Sequence, residues 1–418
     1  MWPAPFSMST YQPPLHLYSL ARVTACLFLS LALHTYANES ADEATDDNVD
    51  GIVEKFPFGG TEHTHDDEPS LVIAPRFHLR AALGDTGLEK SDLAHGGHDP
   101  AQSGFSIPAL SLGADMHYGE NIAGFTEGIL SWNDEDHWNA ELEELYLKFL
   151  HLPGGIDLKA GRLLAAIGTQ NSIHNHAWKF VDADLGNVRF LGEDGLIIEG
   201  VELIWMVPTH WDDRLVVSLG DTIKHEHEEE GGEMESNHNH SEEAEEALWD
   251  KNILSARYQA IFWPRDTCQF IYGASYLKGE NFMGENAQLY GLDFTYTWRE
   301  DKPKGKQFTW RNDAMLRKVS TEEGSFEETA FSSAALYRFK PEWEMGLRYN
   351  YLEGVKDPEL PERHRVSPSL SHYFLFGKIP SMARLQYNYD HSNERGDDHS
   401  IWLQFGFEWG SGSDSHIH

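Results

Sequence analysis

Positive charge is what this sequence has least of. Lys and Arg number 32 against 68 Asp and Glu in 418 residues, a formal charge of −36 at pH 7. Phosphate contacts need clustered Lys and Arg, so nucleic acid is excluded as a partner. Cysteine is nearly missing too: only Cys26 and Cys268 occur, and an exported chain keeping one of them has no internal disulfide framework. Beyond the N-terminal segment, no apolar run approaches the roughly 20 residues of a membrane-spanning helix. The chain also has no Gly-rich phosphate loop, no nucleophile elbow and no HExxH. Nothing assembles a catalytic triad, so the reading is a non-enzyme.

What is present begins with an export signal. A stretch without Asp, Glu or Lys leads to Arg22, then the apolar segment Val23–Leu33, then Ala37 before an acidic start at Asn38-Glu39. A positive n-region, an h-region too short to span a bilayer and a small residue before the cut predict a signal peptide over 1–37. Cys26 lies inside the h-region, which argues against a lipoprotein. Residues 38–69 are acidic and polar, with His63 and His65, and read as a flexible periplasmic lead-in.

From Leu71 to Trp409 the pattern is period-2 alternation. Ala383, Leu385, Tyr387 and Tyr389 oppose Arg384, Gln386, Asn388 and Asp390. In the last such segment Ile401, Leu403, Phe405, Phe407 and Trp409 share a face, and Tyr290, Leu292, Phe294, Tyr296 and Trp298 do the same further back. Segments of about 10 residues or more, aromatics at their ends and a second face of Arg, Asp, Asn and Gln fit a transmembrane barrel with a wet lumen better than a soluble sandwich. About sixteen strands can be counted, although Ala140–Leu150 and Val366–Phe376 keep poor parity. Even-numbered connections are short and hold Pro or Gly. The long ones, near 84–104, 168–195, 224–252 and 353–365, are all odd-numbered, as in barrels with short periplasmic turns and long extracellular loops.

Histidine and acid gather on the long-loop side. Lys224–Leu248 carries His225, His227, His238 and His240 among ten carboxylates, including Glu228 and Glu229. Imidazole in an acidic field suits Zn²⁺, with Cu²⁺ and Ni²⁺ also served; the bland alternative is a solvated acidic loop. Gly168–Leu196 adds His174-Asn175-His176 beside Asp182 and Asp184. In porins one long loop folds inward and narrows the pore, so this pair could act as a filter. Equally, the loop could pack on the wall through Trp178, Phe180 and Phe190 with its histidines merely hydrogen-bonded. Parity turns Arg257, Arg311, Arg317, Arg338, Arg348 and Arg384 toward the lumen. They could select anions, but pairing with Asp293, Asp313, Glu344 and Asp390 is the preferred expectation.

Three stretches carry a family resemblance. They are Gly161-Arg162 with the loop through His174, His176 and Trp178; Phe190-Leu191-Gly192-Glu193-Asp194-Gly195-Leu196; and Arg365-Val366-Ser367-Pro368-Ser369 with Arg384 to Asp390 and Leu403-Gln404-Phe405. The chain resembles the phosphate-selective porin O/P superfamily and the zinc-regulated TonB-dependent outer-membrane receptors. The resemblance implies an outer-membrane protein that takes up zinc or a zinc complex. TonB-dependent receptors enclose a plug within about 22 strands, which this length does not accommodate, so coupling to TonB is not expected.

The expectation is therefore an all-β protein: an antiparallel outer-membrane barrel over 70–410, without a plug domain, ending in a short tail, 411–418, with His416 and His418. Its partners are outer-membrane lipid and divalent metal ions, and such porins often form homotrimers. The alternatives are a general or anion porin and a surface metal-sequestering protein without conductance.

Overall fold

The computed structural model describes residues 71–85, 96–100, 103–132, 138–222, 249–321, 324–355, 361–394 and 396–410. The predicted signal peptide, the 38–69 lead-in, the tail, and His225, His227, Glu228, Glu229, His238 and His240 lie outside them.

Sixteen antiparallel strands close into one barrel, each bonded to its sequence neighbours and the first to the last. In chain order they are β1 (Leu71–Asp85), β2 (Ser103–Tyr118), β3 (Ile122–Trp132), β4 (Trp138–Leu152), β5 (Ile156–Leu164), β6 (Ile197–Pro208), β7 (Asp212–Asp221) and β8 (Trp249–Arg265). Then follow β9 (Cys268–Asn281), β10 (Asn286–Arg299), β11 (Gln307–Thr321), β12 (Gly324–Lys340), β13 (Trp343–Leu352), β14 (Arg363–Phe376), β15 (Ile379–Ser392) and β16 (Gly396–Gly410). Closure leaves no unpaired edge, which is what hydrocarbon demands of a spanning sheet. Among the described residues no helix is long and apolar enough to cross a membrane, and none forms a plug domain.

Alternation sorts the faces. Leu292, Leu347, Leu385 and Ile401 are exposed on the outside, while Asp293, Arg348, Arg384 and Gln404 are buried inside. Rings gather outside at the short-turn end: Phe262, Phe270, Tyr296 and Phe308 form a chain of contacts with centroids 4.9–6.4 Å apart. That is an interfacial girdle.

The two strands of doubtful parity have physical explanations. In β4, Glu127 of β3 pairs with Glu144 and Gly128 with Leu142, so Glu143 is an extra residue. This β-bulge turns both Glu143 and Glu144 inward and inverts the alternation on either side. In β14 the outward face carries His364, Pro368 and His372, and Tyr373 is buried within; polar residues outside and an aromatic inside obscure a regular strand.

The fifth connection does not stay at the rim. β5 ends at Leu164, short of the expected Ile167, because the chain leaves the wall there. Asn171 ties the neck of this loop, donating to Ala165 O at 2.7 Å and Leu196 O at 3.2 Å and accepting from Leu196 N at 2.8 Å. The loop holds one 3₁₀ turn (Asn175–Ala177) and one short helix, α1 (Leu185–Leu191). Gly195 follows at φ +76°, and a Cβ there would meet Asn171 Oδ1 at 2.5 Å, so only glycine closes this neck.

The loop packs by burying apolar side chains. Leu185, Phe190, Leu191 and Leu196 meet Trp249, Ile253, Leu277, Leu289, Val319 and Leu352 from the inner wall. Inward positions are thus apolar where the loop lies on them, and many of the others are polar. Each fully buried Leu or Phe contributes roughly 1.5–3 kcal/mol, enough to hold the loop within the lumen. Phe180 makes a second contact with Ala334 and Leu336.

Candidate functional site

The inward loop touches the wall at two polar places. On the β13–β15 side Asp182 is the centre. Its carboxylate accepts from Arg348 and Arg365, both at 2.5 Å, from Gln386 at 2.6 Å and from Asn388 at 3.0 Å. Asp184 accepts from Arg348 at 3.3 Å and Asn350 at 3.0 Å. Burial alone would raise the Asp182 pKa; the guanidinium groups of Arg348 and Arg365 outweigh it and hold the pKa at about 2.

The expected pore-lining arginines are therefore largely occupied. Arg348 holds the loop. Arg257 pairs with Asp293 at 2.8 Å and also donates to Gly168 O of the loop neck. Arg338 meets Glu344 at 3.4 Å, and Arg317 pairs with Glu328 while donating to Arg189 O at 3.1 Å. Arg384 donates to Ser371 and Gln404. Arg311 lines a small cavity with Thr169, Asp182, Asp184 and Asp313. Two expected partners differ: Asp313 accepts from Thr169 N at 2.8 Å, and Asp390 binds Arg363 and Arg365 instead. Thr169 of the loop takes Asp313, whereas Asp390 lies opposite Arg365 in the β14–β15 register.

The second place lies against β3 and β4 and gathers histidine and acid. His174 Nδ1 is 2.6 Å from Glu143 and its Nε2 is 2.9 Å from Glu144, while Glu127 stands 3.7 Å away. His176 Nδ1 faces Glu127 at 3.3 Å. The His174 and His176 rings are nearly parallel at 5.6 Å, and His78 of β1 stacks on His176 at 3.9 Å. From the first connection, His98 Nε2 reaches Glu143 at 3.1 Å and Asp194 at 3.5 Å. The 3₁₀ turn aims both loop histidines; Arg80 steadies it by donating to His176 O at 2.9 Å and Trp178 O at 3.0 Å.

Here carboxylates exceed cations. Glu127, Glu141, Glu143, Glu144 and Asp194 gather about His98, His174 and His176. Burial alone would lower the histidine pKa values. The surrounding carboxylates more than offset it, raising His98 to about 10 and His174 well above its ordinary value. Both carry a proton at neutral pH when nothing else neutralises the acids. Even with both protonated, the five carboxylates keep excess negative charge.

His174 and His176 were visible as a pair in the sequence, and the structure brings them together with groups that were not: His78, His98, Glu127, Glu143, Glu144 and Asp194. The adjacent glutamates in a strand of broken parity were the available signal, since a bulge is the way two neighbours point inward together.

Comparisons bear on the fold. No family model matches the chain. An uncharacterized protein of Aquifex aeolicus is 40% identical over 67 residues, which is 16% of this chain and 14% of that protein. Among solved structures, an anion-selective porin from Comamonas acidovorans has TM-score 0.53 at 8% identity, covering 81% of this chain and 100% of its own. The outer-membrane channel DcaP of Acinetobacter baumannii has TM-score 0.52 at 11% identity, covering 83% and 99%. OmpT, a trimeric outer-membrane protein of Vibrio cholerae, has TM-score 0.50 at 12% identity, covering 82% and 100%. At these identities the likeness is one of fold: this is the architecture of outer-membrane porins.

Proposed function

We propose that the protein is an outer-membrane channel for divalent metal ions, zinc foremost, with the His174 cluster as its selective element. The observation that carries this is the excess of carboxylate over imidazole where the inward loop meets β3 and β4. Surplus buried acid beside imidazole draws cations, and zinc takes both ligand types. The histidine-rich 224–252 segment would collect metal at the extracellular mouth. Export by the N-terminal signal and assembly as a homotrimer belong to the same reading, the latter on the analogy of the Vibrio protein. The protein would act without catalysis and without TonB.

An anion channel is the second reading, because the small cavity beside His176 is lined by Arg80, Lys179 and Arg384. Planar-bilayer recording under a salt gradient separates the two by the sign of the reversal potential. The proposal requires cation preference, reduced when Glu127 or Glu144 is replaced by Gln; a wild-type preference for anions would refute it.

A further inference from the structure

The geometry points to a second metal position beside the first, built by His98, Glu141 and Asp194 and joined to the His174 position by Glu143 as a bridging carboxylate. This rests on the proposed reading of the His174 cluster and adds to it a two-ion centre that pins one connection to another.

The ligand atoms of His98, Glu141 and Asp194 lie within 4.8 Å of one another, and so do those of Glu127, Glu143 and His174. One residue faces both sets. Glu143 turns Oε2 to His174 at 2.6 Å and Oε1 to His98 at 3.1 Å. The His98 separations, 3.1 Å to Glu143 and 3.5 Å to Asp194, are close to the edge of a tetrahedron of donors around a zinc ion, about 3.3 Å for bonds of about 2 Å.

Hydrogen bonds and ion pairs account for only part of this arrangement. Both ring nitrogens of His98 are buried without a well-aligned hydrogen-bond partner, and so are Asp194 Oδ1, Glu127 Oε1 and His176 Nδ1. His98 is only 4% exposed. Buried polar atoms are costly to leave unmatched. A cation beside His98 Nε2 would meet Asp194 Oδ1, and one beside His174 would meet Glu127 Oε1.

The backbone is shaped for the approach. Gly97 N donates to Glu193 O at 3.1 Å, and a Cβ on Gly97 would lie 2.1 Å from Asp194 Oδ1. Asp99 then locks the segment, accepting from Gly96 N at 2.9 Å and from Ala183 N at 2.7 Å. His98 is thus presented to Asp194 by a fixed turn. The ligands come from the first connection, β4 and the inward loop, so an ion there fastens all three.

The test is the number of tightly held Zn²⁺ ions in the full-length protein after equilibrium dialysis, for wild type, His98→Ala, His174→Ala and the double variant. Each single variant is expected to hold one ion fewer than wild type and the double variant two fewer, with heat denaturation in chelator confirming that all fold. Mn²⁺-loaded wild type should show the exchange-coupled resonance of a bridged pair, lost in either single variant. If His98→Ala keeps the wild-type count while His174→Ala loses an ion, the second position is refuted and the first stands. If only His98→Ala loses one, the His174 position fails instead. If neither loses an ion, the cluster is an ion-pair network and both are overturned.

Discussion

The inward loop is held on one side by a balanced set of charges and on the other by an unbalanced one. Against β13–β15, Arg348, Arg363 and Arg365 face Asp182, Asp184 and Asp390, three against three in direct contact. Against β3 and β4, five carboxylates crowd four imidazoles, with several ligand atoms unmatched. Burying charge costs several kcal/mol per ion unless partners compensate it. The balanced side therefore explains itself as an anchor. On the proposed function the unbalanced side would receive a cation, and that contrast would separate structure from function in a lumen where both use the same residue types.

The sharpest way to break the contrast is to unbalance the anchor. Asp182→Ala strands Arg348 and Arg365 without their shared acceptor, a loss of about 3–5 kcal/mol by analogy with other broken buried pairs. Faster proteolysis of the 165–196 loop and a larger single-channel conductance should report it, while unchanged values would mean that the apolar contacts alone seat the loop. Phe190→Ala attacks those contacts, with an expected cost of about 3–5 kcal/mol but unaltered charge; heat denaturation should fall while cation preference stays.

On the other side, Glu143→Gln removes charge without volume. It should weaken zinc binding by on the order of 100-fold and speed loop proteolysis less than Asp182→Ala does, since the anchor is untouched. A variant with normal zinc affinity would count against the cluster as a metal site.

The smallest effect is one of pH. Asp182 is held at about 2, below its ordinary 3.8, so its stabilisation is complete above about 4 and is lost as pH falls through 2. Conductance should therefore be steady at neutral pH and rise or become noisy only below about 4. A rise already near pH 6 would place the anchor elsewhere.

The barrel was legible because a spanning strand must alternate. Leu385 against Arg384 and Leu403 against Gln404 tell lipid from lumen without any tertiary knowledge, and the loop lengths repeat the message. β4 resisted for the reason that makes it interesting: the extra residue at Glu143 breaks the period. The candidate site was half legible. His174-Asn175-His176 announces itself as a pair, whereas His98, Glu127 and Asp194 are distant in sequence and meet only because the loop folds inward. The arginines were placed inward by parity, but their partners could not be foreseen. Asp182 and Thr169 belong to a loop whose path depends on an apolar inner face, and Ile253, Leu277 and Leu289 read in sequence as irregularities of a polar lumen.

The central claim is that the surplus acid beside β3 and β4 holds metal. Diffraction from zinc-grown crystals at the zinc absorption edge tests it directly. Anomalous density between His174, Glu127 and Glu143 is predicted; its absence there, with zinc bound only to the histidine-rich segment between β7 and β8, would contradict it.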